Sequence, residues 1–200
     1  MQTEPLLIKL TPHYNNLVIT GPQAESFLQG QLTCDVKALN EHNSYLGAHC
    51  NLQGRMISLF RIYRQGDSWH LILPSDLADI AEKALKHYAR FSKVTLTQTQ
   101  PARLGIIGLL DSRLRGNDTL QSENPTLKVI AHLGNRFEYI GLPEQIEKLK
   151  NTLHNQAQFG TIEHWHMAHI DAGEAFLTAE TSGEFLPHDI NLPELGGVSF

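Results

Sequence analysis

The sequence predicts an α+β fold, and three observations carry that expectation. Short runs rich in Ile, Leu, Val and aromatic residues recur along the chain. Several follow one another across Gly-containing turns, as hairpins do. They alternate with a few segments whose apolar residues recur at helical spacing. With 200 residues, 41% of them hydrophobic and 18% charged, the chain can bury a real core, as one large domain or two small lobes.

The first strand is expected in "NLVITG" at 16–21. Pro22 then stands where a helix opens, with Thr20 or Gly21 as its cap and Ala24, Phe27, Leu28 and Gln31 at helical spacing. "SYLGAHC" and "RMISLFRIY" are strands joined by "NLQG", where Gly54 supplies a positive φ for the turn. "QGDS" turns the chain again into "WHLIL". Ser75 is the expected N-cap of a helix from about Asp76 to Arg90, striped by Leu77, Ile80, Ala81, Ala84, Leu85 and Tyr88. "KVTLTQ" and "ARLGIIGLL" are further strands.

The polar stretch 111–126, broken by Gly116, Asn117 and Pro125, reads as an exposed loop or insertion, and its Arg113 and Arg115 as solvated charges. Short strands are expected around Leu127–Ala131 and Phe137–Ile140. Pro143 opens a helix through Ile146, Leu149 and Leu153, and a last helix spans Ile162–Ile170. The Pro- and Gly-rich tail from Thr181 to Phe200 holds several apolar residues and ends the sequence abruptly on Phe200.

Composition excludes some functions. A net charge of −5 is wrong for a general nucleic-acid binder, which needs a basic surface to displace counterions. No apolar run approaches the length of a membrane span, and the N-terminus lacks the order of a signal peptide, so a cytoplasmic protein is expected. Cys34 and Cys50 show no framework or metal spacing and are read as small buried residues. No G-x-S-x-G elbow and no nucleotide-binding glycine loop is present.

"HWHMAH" places His164, His166 and His169 close together, but on a helix only His166 and His169 share a face. No acidic residue stands at the spacing of a zinc-binding helix. No metal site is expected, and these histidines are read as partly exposed polar residues. Trp165 and Asp171 suggest other chemistry. An aromatic platform with one carboxylate, followed by the small residues Ala172 and Gly173, is what a flat heterocycle with an amidine-like edge requires. Taken alone, the pair reads first as a core tryptophan and a helix-end charge.

The blocks "ITGPQAESFLQGQLTCDV", "GAHCNLQGRMISLFRIY", "KHYARFSKV" and "HIDAGEAFLTAETSGEFLPHDINLPELGGVSF", in this order, resemble those of the YgfZ family. These are folate-binding proteins related to the aminomethyltransferase (T-protein) of the glycine cleavage system. The resemblance covers the chain from about Leu17 to Phe200, apart from the 111–160 region. It implies a folate-binding region over residues 1–200, made of two intertwined ferredoxin-like α+β lobes. In the family, the Gly-Gly-x-Ser-Phe run leads into a cysteine motif and a C-terminal β-barrel. Neither is in this sequence, so Phe200 and its apolar neighbours are read as a cut edge.

The resemblance further implies tetrahydrofolate as cofactor and iron–sulfur enzymes as clients, including one that modifies tRNA. It places Tyr14 and Trp165 as aromatics against the folate. Asp171 stands where the family usually has Glu, shortening the side chain by about 1.5 Å. An aminomethyltransferase would need a carboxylate where Ile57 and Ser58 stand, so no catalytic residue is assigned and an enzyme is not expected. The competing expectation is a non-catalytic interaction scaffold, associating through the apolar tail. Arg55, Arg61, Arg64, Lys86, Arg90 and Lys93 read as solvated charges before they read as a basic side for the folate tail.

Overall fold

The structure is a computed structural model of the chain and describes residues 5–108 and 126–199. In chain order the elements are β1 (Leu6–Lys9), β2 (Tyr14–Thr20), α1 (Ala24–Gln29), β3 (Ser44–Cys50), β4 (Met56–Gln65), β5 (Ser68–Pro74) and α2 (Ala78–Ala89). They continue with β6 (Thr95–Thr99), β7 (Ala102–Ile107), β8 (Lys128–His132), β9 (Arg136–Gly141), α3 (Pro143–Leu153), β10 (Gln158–Gly160) and α4 (Ile162–Asp171). Short 3-10 turns lie at Val36–Ala38 and Pro187–Ile190. Two separate sheets with helices against them make this an α+β fold. Of the 111–126 loop, only Thr126 falls among the described residues.

The chain divides into two compact units, each assembled from two stretches: Met1–His13 with Pro101–Glu174, and Tyr14–Gln100 with Ala175–Phe200. The first holds a sheet in the order β10-β1-β7-β9-β8. Its pairs are antiparallel except β1 with β10. One face carries Leu7, Leu104, Ile106, Val129 and Tyr139 and is covered by Ile146, Leu149 and Leu153 of α3. That helix starts as its sequence dictates, with Pro143 in the first turn and Gln145 Oε1 accepting the Leu142 N–H at 2.9 Å. Between β8 and β9 the backbone reverses through Gly134 and Asn135, at φ +71° and +55°. The opposite face of this sheet carries α4, whose Trp165 packs on Gly105.

The second unit holds an antiparallel sheet in the order β3-β4-β5-β2-β6. Leu17, Ile19, Phe60, Ile62, Trp69 and Leu71 project from one face into a core closed by Phe27 and Leu28 of α1 and Ala81 and Leu85 of α2. Gly54 adopts the positive φ, +77°, that its turn demands.

Several expectations are corrected. Ser75 does not cap α2: its Oγ donates to Asn15 Oδ1 at 3.0 Å, and Leu77 is the N-cap residue, so the helix begins later than Asp76. Gln23, rather than Thr20 or Gly21, precedes α1, which ends before Gln31. Two strands, β1 and β10, went unforeseen. The described tail is tied to the second unit along its length. Met56 N–H donates to Phe185 O and Gly183 N–H to Met56 O, both at 2.8 Å, and Ser199 N–H donates to Thr33 O at 2.8 Å. Leu177 and Leu192 are buried in the second unit's core. The described tail is therefore a strap laced across this unit, with Phe185 and Leu186 half-exposed. Among the described residues, no helix is long and apolar enough to cross a membrane.

Candidate functional site

Beneath α4, the first unit buries a network of charged side chains. Arg103, Glu138 and Arg136 project from the same face of β7 and β9, where Gly105 pairs with Glu138 and Ile107 with Arg136. The Arg103 guanidinium is ion-paired with Glu138 Oε1, and Glu138 Oε2 accepts from His132 Nε2 at 3.2 Å. Arg136 donates from Nη2 to Glu174 Oε2 at 2.6 Å and from Nε to Leu133 O at 2.8 Å. His169 Nδ1 lies 2.7 Å from the same Glu174 oxygen. The charges of the two guanidinium and two carboxylate groups cancel. Burial pushes the Glu138 carboxyl up, but Arg103 and His132 outweigh it and hold it down at about 2.

Trp165 is the hub of this network. It is 1% exposed, with the Arg136 guanidinium 5.5 Å from its ring centre and the His132 and His169 rings edge-on at 5.4 Å each. On its remaining side a Cβ at Gly105 would lie 2.9 Å from the indole, so glycine is what lets the ring reach the sheet. His164 accepts the Thr161 N–H at 3.1 Å and so serves the start of α4, while His166 is half-buried. Burial, and after it the charge of His13, lowers the pKa of His166. Asp171 is exposed at the C-terminal end of α4. Six residues separate it from Trp165, so the two stand on different faces of the helix.

In the second unit, the sheet face opposite the helices carries a different set. Tyr14 and Asn16 alternate with the core residues of β2, as Arg61 and Tyr63 do in β4 and His70 in β5. Asn16 Nδ2 donates to Tyr63 Oη at 3.1 Å and approaches His70 Nδ1 at 3.4 Å. The Tyr63 and His70 rings stack, 4.7 Å apart and 11° from parallel. Tyr14, 8% exposed, lies on the same face at the start of β2, across from Pro74. Aromatic faces beside an amide and an imidazole suit a flat, hydrogen-bonding heterocycle. The set has donor chemistry a pterin could use, but Asn16 and Tyr63 are buried against each other, 2% and 1% exposed.

Ile57 lies on β4 and Ser58 is fully buried there. The basic residues find local partners. Arg55 donates to Glu184 O, Arg61 to Ser44 Oγ at 3.4 Å and Arg64 to Gly66 O at 2.9 Å, while Lys86 pairs with Glu82 at 2.7 Å. Cys34 is buried and pushed up to about 12, whereas Cys50 is only half-buried. Sequence reasoning singled out Trp165 and His169 but missed Arg103, His132, Arg136, Glu138 and Glu174. The available signal was a charged residue recurring within otherwise apolar strands.

The chain is similar to curated proteins named "tRNA-modifying protein YgfZ". It is 36% identical to that of Cronobacter sakazakii over 193 residues, 91% of this chain and 59% of the relative. It is 33% identical to that of Pectobacterium carotovorum over 210 residues, covering all of this chain and 63% of the relative. For the Escherichia coli SE11 protein the values are 32%, 98% and 64%. The chain thus spans about three fifths of the length of these relatives. Among solved structures, the glycine cleavage system aminomethyltransferase T of Bartonella henselae superposes with a TM-score of 0.77, covering 93% of this chain and 56% of that one. At 16% identity, that likeness establishes the fold alone. No protein-family model matches the chain. The resemblance carried by the sequence blocks holds along nearly the whole chain.

Proposed function

We propose that this chain is a tetrahydrofolate-binding protein of the YgfZ type, acting in the cytoplasm to assist the assembly or repair of iron–sulfur enzymes, tRNA-modifying ones among them. The observation that carries this reading is the 31–36% identity, along 91–100% of the chain, to proteins named for tRNA modification. The fold of an aminomethyltransferase supports the folate part. Tyr14, Trp165 and Asp171 are assigned to the folate on the family resemblance. Asp171 is an exposed carboxylate in the first unit, and Tyr14, 8% exposed, belongs to the second. Trp165, enclosed within its own unit, acts through the helix it anchors.

An aminomethyltransferase reading has the fold in its favour, yet Ile57 and Ser58 supply no carboxylate to work on the folate amine. We therefore expect binding without aminomethyl transfer. The scaffold reading draws on Leu52, 92% exposed, and on the half-exposed Phe185 and Leu186.

The test is ligand-linked stability. A ligand that binds only the folded chain stabilises it by about 2.7 kcal/mol at one hundred times its Kd. Tetrahydrofolate is expected to raise Tm in a concentration-dependent way, with no turnover of an aminomethyl donor. An unchanged Tm at millimolar tetrahydrofolate would remove the folate part of the proposal. Transfer activity would favour the enzyme instead.

A further inference from the structure

We propose that His132, His169 and Glu174 form a binding site for a divalent cation of the zinc class. The donor atoms of these three side chains all lie within 4.8 Å of one another, from the end of β8, the last turn of α4 and a position three residues beyond that helix. Two imidazoles and one carboxylate, with a fourth position left to water, are a recurrent zinc donor set. The motif the sequence advertises, His164 with His166 and His169, is a different one; only His169 belongs to both.

The surroundings have the form of an outer shell. His132 gives its Nε2 to Glu138, which in turn is held by Arg103. An imidazole anchored to a carboxylate through one nitrogen presents the other to a metal, with its ring orientation fixed. For His132, that leaves Nδ1 as the ligand atom. Arg136 fixes Glu174 through Oε2, the oxygen that also faces His169. His169 Nδ1 and Glu174 Oε2 are already 2.7 Å apart, so the ion would replace the hydrogen between them. Tetrahedral zinc ligands sit about 3.4 Å from each other, given bonds of about 2.0–2.1 Å. The pair must open by under an ångström while His132 closes in. His169, at the rim with 12% of its side chain exposed, marks the way in.

The charge balance selects the ion. Arg103 and Arg136 offset both carboxylates, so the site offers little net negative charge. Calcium and magnesium, which depend on several anionic or carbonyl oxygens, are disfavoured, and an ion that bonds strongly to imidazole is favoured.

Cobalt(II) chloride, a spectroscopic stand-in for zinc, tests the proposal on the full chain. One equivalent is expected to produce the visible absorption of a tetrahedral site, displaced by zinc. Glu138→Gln is expected to weaken binding about tenfold or more by loosening His132. His169→Asn is expected to abolish the band, while His164→Asn and His166→Asn keep it. No tetrahedral band with the unaltered chain overturns the proposal, as does a band that survives His169→Asn. Should His169→Asn fail to fold by circular dichroism, X-ray absorption of the zinc-loaded unaltered chain decides. Two imidazoles and a carboxylate oxygen around zinc sustain the site; fewer than two imidazoles overturn it.

Discussion

Gly105 shows how much one missing methyl group can govern. A Cβ there would stand 2.9 Å from two carbons of Trp165 and 3.1 Å from Leu10, all inside a packed layer. Gly105→Ala is expected to cost about 1–3 kcal/mol, read as a lower urea midpoint at unchanged m-value. An unaffected midpoint would mean that α4 can lift from the sheet freely. His49 makes a second residue-scale prediction. It is 2% exposed, edge-on to Tyr88 at 6.2 Å, and burial lowers its pKa to about 4. Folded His49 therefore stays neutral while the unfolded chain takes up a proton near pH 6.5. Stability is present in full above that value and declines as pH falls toward 4, by about 3 kcal/mol over the window. Unfolding titrations between pH 7 and 4 should show that loss, and His49→Asn should blunt it.

Elements differ in how openly the sequence declares them. The β3–β4–β5 meander and α2 were legible because long apolar patterns and turn glycines agree with one another. β1 and β10 were not: at four and three residues they carry too little pattern, and β10 exists through its partner, β1. Ser75 looked like a cap because serine usually is one, but a side chain 60 positions away offered its hydroxyl a better acceptor. Alternating Arg103, Glu138 and Arg136 with apolar residues spells a half-solvated strand. The polar side is instead roofed by α4, a long-range event that no local pattern encodes. The terminal strap is likewise tertiary, and its anchor is Leu192, 1% exposed. Leu192→Ala should destabilise the second unit by about 2–5 kcal/mol, and limited proteolysis should cut the strap sooner. Unchanged proteolysis would show that the backbone bonds at Met56 and Thr33 hold it unaided.

At the scale of the whole molecule, each unit is discontinuous in sequence, a feature that no local pattern encodes. The fold class followed from pattern, but the site did so only in fragments. Trp165 and Asp171 share a ten-residue helix and were easy to notice together, yet one is enclosed and the other exposed. Asn16 meets Tyr63 and His70 only through the sheet, which gathers them from positions 47 and 54 residues beyond it. Tetrahydrofolate binding, as proposed above, belongs to this scale. Calorimetric titration of tetrahydrofolate into the unaltered chain and into Tyr14→Ala tests it most directly. Saturable micromolar binding is expected, weakened at least tenfold in Tyr14→Ala while the chain stays folded. No heat of binding at millimolar ligand, or equal affinity in both proteins, would contradict it.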